Sequence, residues 1–406
     1  MKHADIIIIG GGAAGFFAAI TAASVKPDLS IIILEQSKEV LQKVRISGGG
    51  RCNATHACFD PKELINFYPR GAKELLGPFY SFGPSQTIEW FKNHGVSLKT
   101  ETDGRMFPVT DSSETILNCF SDLTKKMGIK VFTNVKVKNY HYKQSAELKF
   151  EIITDSENYT CNQMMLATGS SPFIWNLLKT QGYHVIEPVP SLFTFNLPKH
   201  PICNLMGLSV PKAKVYIKDT KISSDGPLLI THWGLSGPAV LKASAWGAGV
   251  LAERKYEFDI LVDWVPDINV PAINQLREEM AKKKVVSNPL FSIPSRLWQF
   301  ITNNIITDRE KNWASLSKME MTDMINQLKS SSFSVKGKTT FKEEFVTAGG
   351  VSLEQINFRS FQSKLQPGLF LAGEVLNIDA LTGGFNFQAA WTGGYLAGTE
   401  MGKKQE

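Results

Sequence analysis

The stretch Gly10-Gly11-Gly12-Ala13-Ala14-Gly15 constrains this chain more than any other. A short β-branched apolar run, residues 4–9, precedes it, and an Ala-rich run, 13–24, follows it and ends near Pro27. Residues 30–34 form a second apolar run. The spacing predicts strand, tight turn, helix and parallel strand within about thirty residues, the size of a βαβ crossover. In that setting G-x-G-x-x-G reads as a dinucleotide turn. Gly10 permits the tight bend, Gly12 lets a pyrophosphate approach backbone N–H groups, and Gly15 lets the helix pack close to the strand. The helix dipole adds its positive end at the phosphates. Glu35 closes the second strand, where a carboxylate accepts hydrogen bonds from ribose hydroxyls and repels a 2′-phosphate.

FAD and NAD share this turn, and the far end of the chain discriminates between them. Residues 368–374 read as a buried strand followed by Gly373 and Glu374. Gly383-Gly384-Phe385-Asn386-Phe387 then opens a helix expected over 387–401. A second helix start can aim N–H groups at the pyrimidine edge of a flavin, where negative charge develops on reduction. Glu374 is expected beside the ribityl or pyrophosphate part. Ser47-Gly48-Gly49-Gly50-Arg51-Cys52-Asn53 is too glycine-rich for a regular element and suits a loop lying flat on a ligand. There Arg51 would meet a phosphate or the flavin carbonyl edge. The expected cofactor contacts are Gly10, Gly12, Ala13, Ala14, Gly15, Glu35, Gln36, Lys43, Ser47, Gly48, Gly49, Arg51, Cys52, Asn53, Val135, Ala167, Thr168, Gly169, Gly373, Glu374, Gly383, Gly384, Phe385, Asn386 and Phe387.

Between these ends the texture changes. Helices are expected over 84–94 and 112–127, and strands over 130–132, 135–142, 148–154 and 163–167. After Val189, prolines punctuate short strand-like runs such as 213–217 and 256–262. Helical patterns cover 272–283, 294–305 and 315–328, and 333–335 returns to strand. A chain of 406 residues accommodates two or three domains. The net charge of +6 is mild and dispersed, its densest runs being 282–284 and 403–404. No clustered basic face points to nucleic acid. The five cysteines include no C-x-x-C pair, which argues against a disulfide scaffold or a zinc site and for a reducing compartment. No apolar run approaches the roughly 18 residues needed to span a bilayer, and the N-terminus enters a strand at once. A cytoplasmic enzyme with a small-molecule substrate, and no metal, nucleic-acid or membrane partner, is the expectation.

Four stretches together are similar to one family: GGGAAG at Gly10, KVRISGGGRCNAT from Lys43 to Thr55, THWGLSGPAVL from Thr231 to Leu241, and LAGEVLNIDALTGGFNFQAAWTGG from Leu371 to Gly394. In order and separation the chain resembles the YhiN-like bacterial flavoproteins, a three-domain group that includes relatives of aminoacetone oxidase and dehydro-bile-acid reductase. The resemblance implies an α/β fold with a discontinuous Rossmann-like FAD domain, 1–189 plus 338–406. An inserted β-barrel-like domain would cover 190–270 plus about 331–337, and a small helical domain 271–330. It departs from the family's usual final motif at Asn377, where an acid is usual, and at Phe385, which stands for Tyr.

The remaining constellations carry less. His232, in a turn before a helix starting at Pro238, could move protons at the flavin. Cys52 is the one cysteine in a functional-looking loop, although a small buried thiol is the plainer reading. Ser236 sits in no nucleophile elbow. Thr347-Ala348-Gly349-Gly350-Val351 is a further candidate for close backbone approach, and Trp391 reads as core. Two-electron chemistry at FAD follows, closed either by O₂ or by transiently docked NADH or NADPH. A flavoprotein acting on RNA, a non-catalytic flavin binder and an NAD-only dehydrogenase remain open alternatives.

Overall fold

The computed structural model describes residues 1–143, 149–340 and 346–403. Leu148, where a strand was expected to begin, and Lys404 of the basic tail lie outside these. The chain divides into two compact units, Met1–Pro188 with Val346–Glu406, and Val189–Phe345.

The first unit is built on parallel strands whose β-branched and aliphatic residues are buried on both faces. β1 (Lys2–Ile9) lies between β2 (Ile31–Leu34) and the strand Tyr159–Leu166. Leu369–Leu371 continues the sheet beyond Tyr159–Leu166, and Lys130–Phe132 continues it beyond β2. The registers align Ile9 with Leu34 and Leu166, and Leu166 with Leu371. Four strands therefore end level, and Gly10, Glu35, Ala167 and Ala372 emerge side by side at their carboxyl ends. That edge is where open α/β sheets bind ligands.

Two helices cover this sheet as a pair. α1 (Ala13–Val25) and the last helix, Phe385–Gly402, touch along their length. A Cβ on Gly394 would fall 2.7 Å from Ala14 O, and one on Gly398 2.5 Å from Ala18 O, so only glycine permits this approach. Phe17, Phe120 and Trp391 pack around the contact.

Most expected elements form, with ends moved by a few residues. Three features differ. α2 (Gln42–Gly50) carries helix into the glycine stretch, but its backbone leaves helical geometry at Ser47, Gly48 and Gly49, so the expected loop begins inside a helix. A small antiparallel sheet joins β3 (Thr55–His56) to Arg105–Pro108 and Leu98–Thr100. Helices Ala72–Ser81 and Pro172–Thr180 were not foreseen; the first holds Pro78 within it.

The second unit contains a seven-stranded sheet with antiparallel pairings and, among its described residues, five α-helices, Pro238–Trp246, Ala248–Glu253, Val270–Glu279, Ser295–Asn303 and Lys318–Lys329. Its β-rich and helical stretches share one hydrophobic cluster around Trp264, Trp298 and Trp313. The chain leaves this unit later than residue 338, because Lys338–Thr339 pairs with Thr194 and Phe195.

Candidate dinucleotide site

The N-terminal turn has the geometry its glycines imply. Gly10 has φ +110°, and a Cβ there would meet Ala167 O at 2.4 Å; a Cβ on Gly15 would meet Gly10 O at 2.2 Å. Gly12 faces open space instead, with Ala167 O at 3.9 Å its nearest neighbour. It caps α1, whose first turn, from Ala13 and Ala14, holds no acidic residue and no side-chain cap. The free N–H groups there make an anion site. The Glu35 carboxylate accepts from Gly11 N–H and from Ser37 N–H, each at 2.8 Å. It is thereby braced against the turn, with lone pairs left for ribose hydroxyls. Gln36 follows it, and Val135 donates its N–H to Glu35 O at 2.9 Å.

The second helix start is held just as firmly. Gly384 caps the last helix with φ +91°, and its first turn has neither an acid nor a side-chain cap. With the Asn53 amide oriented to satisfy both partners, its nitrogen donates to Thr55 O at 3.1 Å and its oxygen accepts from Gly384 N–H at 3.0 Å. Asn386 bridges back to Ala380, accepting from its N–H and donating to its carbonyl. Phe385 is buried; its ring stacks against both His56 and Phe67, which also touch each other, and its carbonyl accepts from Tyr68 Oη at 2.6 Å. Phe387 stacks on Trp391. These rings anchor the helix start and leave its backbone to face a ligand.

Below them lies a buried polar cluster that the sequence did not announce. Gln388 Oε1 accepts from Thr55 Oγ1 at 2.6 Å and from Thr87 Oγ1 at 3.0 Å, and Gln388 Nε2 donates to Thr392 Oγ1 at 3.1 Å. Asp379, fully buried, forms an ion pair with Arg70. A Gln one turn into a helix looks like any other, and Arg70 carries no motif, so neither could be singled out.

The middle stretch departs from expectation at Arg51, while Cys52 is the buried thiol of the plainer reading. The Arg51 guanidinium lies 4.0 Å over the Phe107 ring and donates to Glu101 Oε1 at 2.6 Å, so a carboxylate already engages it. Cys52 is fully buried with φ +62°, and burial pushes its thiol up to about 12, which rules it out as a thiolate at neutral pH. Gly49 and the neighbouring Gly50 face nothing within 4 Å. Gly48 sits against the Phe107 edge, and Ser47 Oγ donates to Val44 O. Lys43 pairs with Glu374, which joins the second element to the third. Thr168 Oγ1 is buried without a partner beside Ala167 and Gly169, at the end of the strand Tyr159–Leu166. Gly373 has only Ala14 Cβ near its missing side chain, at 3.6 Å. His232 belongs to the second unit, where its exposed ring lies 3.8 Å from that of Trp233.

The residues present fit an FAD. Two uncapped helix starts await anionic or electron-rich groups, an orphaned hydroxyl awaits a partner, and Gly12, Gly49 and Gly50 border space that any side chain would fill.

Residues 4–400 match the family described as HI0933-like protein Rossmann domain. The chain belongs to that family. Among its relatives is a 3-dehydro-bile acid delta(4,6)-reductase of Clostridium scindens, 27% identical, with 96% of this chain and 97% of the relative aligned. A ribosomal RNA dihydrouridine synthase of Haemophilus influenzae is also 27% identical, with 99% and 100% aligned. The fold is shared with a 3-ketosteroid-Δ4-(5α)-dehydrogenase of Rhodococcus jostii, at a TM-score of 0.54 and 12% identity over 99% of this chain and 97% of that one. This HI0933-like chain is an FAD-dependent oxidoreductase with a Rossmann-like cofactor domain. Among the described residues no helix is long and apolar enough to cross a membrane.

Proposed function

We propose that this HI0933-like flavoenzyme is an NAD(P)H-fed reductase of a carbon–carbon double bond conjugated to a carbonyl. One observation carries the reading. Two relatives of equal identity bear names with unrelated substrates, a dehydro-bile acid and a ribosomal RNA uridine, yet each name describes the same bond change. An enone and the C5=C6 bond of uracil are both alkenes polarised by a carbonyl. In the net reaction NAD(P)H, a proton and the alkene become NAD(P)⁺ and the saturated carbonyl compound. A hydride equivalent reaches the β-carbon, the π electrons move toward the carbonyl oxygen, and the proton ends on the α-carbon.

Bound FAD supplies the two-electron chemistry. The chain binds and polarises. The turn at Gly10, Gly12 and Gly15 would hold the pyrophosphate, Glu35 the ribose, and the stretch Ser47–Asn53 the ring system. The N–H groups after Gly384 would stabilise negative charge at the pyrimidine edge. The substrate we favour is a small organic molecule. The same bond within an RNA base is the second reading, and the dihydrouridine synthase name favours it.

Anaerobic stopped-flow reduction tests this. NADH or NADPH should bleach the yellow holoprotein, and a steroid 4,6-dien-3-one or a uridine-containing RNA should then restore the colour faster than air does. Failure of both nicotinamides to bleach, or recovery with air alone, would overturn the proposal in favour of an oxidase.

A further inference from the structure

Thr347–Val351 is the glycine-containing motif that the cofactor does not account for. All its residues are buried, and it pairs with Val185–Pro190 in a two-stranded ribbon. Gly349 (φ +112°) and Gly350 (φ +118°) let it lie flat: a Cβ on Gly350 would meet Val375 O at 2.7 Å. Its other bonds tie it to the segment that runs from Glu374 toward the Gly383-Gly384 turn. Val351 N–H donates to Val375 O at 2.9 Å, Asn377 N–H donates to Val351 O at 3.0 Å, and Gly349 N–H donates to Asn377 Oδ1 at 3.0 Å. The strand is thus stitched to the connection between the two C-terminal parts of the cofactor site.

At its first residue stands an anomaly. Thr347 is 4% exposed, and its hydroxyl has no hydrogen-bond partner. A buried unpaired hydroxyl is costly, and an isosteric valine would remove the cost. An unpaired group that persists despite this cost suggests a partner that arrives from outside. Rotation about χ1, a fast motion, exchanges hydroxyl and methyl and lets the oxygen turn toward an arriving group.

We propose that the Thr347 hydroxyl donates a hydrogen bond to the substrate's conjugated carbonyl oxygen. The assignment rests on the reductase reading above. When hydride reaches the β-carbon, charge grows on that oxygen, and a donor aimed at it lowers the barrier. A threonine hydroxyl suits this: it is neutral, it keeps its proton, and it adds no charge to a buried site. The α-carbon proton comes from solvent, so Thr347 remains unchanged through the cycle.

The test compares wild-type holoprotein with Thr347→Val and Thr347→Ser. Thr347→Val should melt at a higher temperature than wild type, because it removes an unsatisfied group. It should keep the flavin spectrum and be bleached normally by NAD(P)H. Its recovery with the 4,6-dien-3-one or RNA probe should slow by about 10²-fold, the loss typical of one missing oxyanion donor. Thr347→Ser should recover most of that rate. Unchanged recovery in Thr347→Val, a fall in its melting temperature, or a changed flavin spectrum each overturns the assignment; the last makes Thr347 a cofactor contact instead. If the wild type itself responds to neither probe, the reductase reading has failed, and the donor role falls with it.

Discussion

At the residue scale, the glycines and the buried thiol make distinct claims. Gly49 has φ +68° and open space around it, so an alanine there meets no protein atom. The left-handed backbone alone should cost about 1 kcal/mol. That strain is present with or without the cofactor; if the stretch lies against FAD, the added methyl should in addition weaken cofactor affinity by at least about tenfold, or about 1.4 kcal/mol, and flavin fluorescence titration reads this directly. Unchanged affinity would place the cofactor elsewhere. Cys52 and Cys161 are fully buried, whereas Cys58 and Cys203 are partly open. Iodoacetamide at pH 8 should therefore label the latter pair in the native protein and spare Cys52, as peptide mass mapping would show.

His56 adds a pH dependence. Burial disfavours its charged form and holds its pKa below the ordinary 6.5, although Asp103 O lies 3.1 Å from Nε2. Above pH 6.5 the ring is neutral in both folded and unfolded chains and contributes no slope. As pH falls below that value the unfolded chain takes up the proton first, so stability declines until the pH passes the folded-state pKa. Chemical denaturation at pH 7.5 and pH 5.5 should show a smaller loss in His56→Asn than in wild type. Equal losses would mean that the imidazole titrates as if unfolded.

At the element scale, the last helix is positioned by polar groups as much as by packing. Gln388 satisfies Thr55, Thr87 and Thr392 at once. Leucine in its place leaves the Thr55 and Thr87 hydroxyls without that acceptor, at about 1–3 kcal/mol for each one that finds no other, whereas Thr392 keeps its bond to Phe82 O. Gln388→Leu should lower the melting temperature, loosen the helix start and weaken FAD binding; a stable variant with unaltered affinity would show that packing alone sets the helix. Much of this region was legible in the sequence. The βαβ unit, Glu35 and the Gly383-Gly384 helix start are local patterns, written in spacing and periodicity. The ties that align them are not. Asn53 reaches Gly384, and Arg70 reaches Asp379, across most of the chain, and such pairs leave no periodic trace. Arg51 was expected at a phosphate or the flavin carbonyl edge because its neighbours are glycines; Phe107 lies on the small sheet and Glu101 directly follows its strand Leu98–Thr100, and these strands are too short to announce themselves.

At the scale of the molecule, the first unit is assembled from both ends of the chain, and the two units have separate hydrophobic cores. FAD should therefore act as a clamp on one of them. A ligand that binds only the folded state stabilises it by about 4 kcal/mol at a thousandfold excess over its Kd. For a unit of this size that corresponds to roughly 10 °C. Trp264, Trp298 and Trp313 are buried in the second unit, and Trp175 and Trp391 in the first, so fluorescence can follow each one once the other unit's tryptophans are replaced by phenylalanine. Stripping FAD should lower the transition seen by Trp175 and Trp391 and leave that of Trp264, Trp298 and Trp313 nearly fixed. A common shift in both sets would mean that the units unfold as one, and that the cofactor stabilises the entire chain through their coupling rather than the N- and C-terminal segments that hold it.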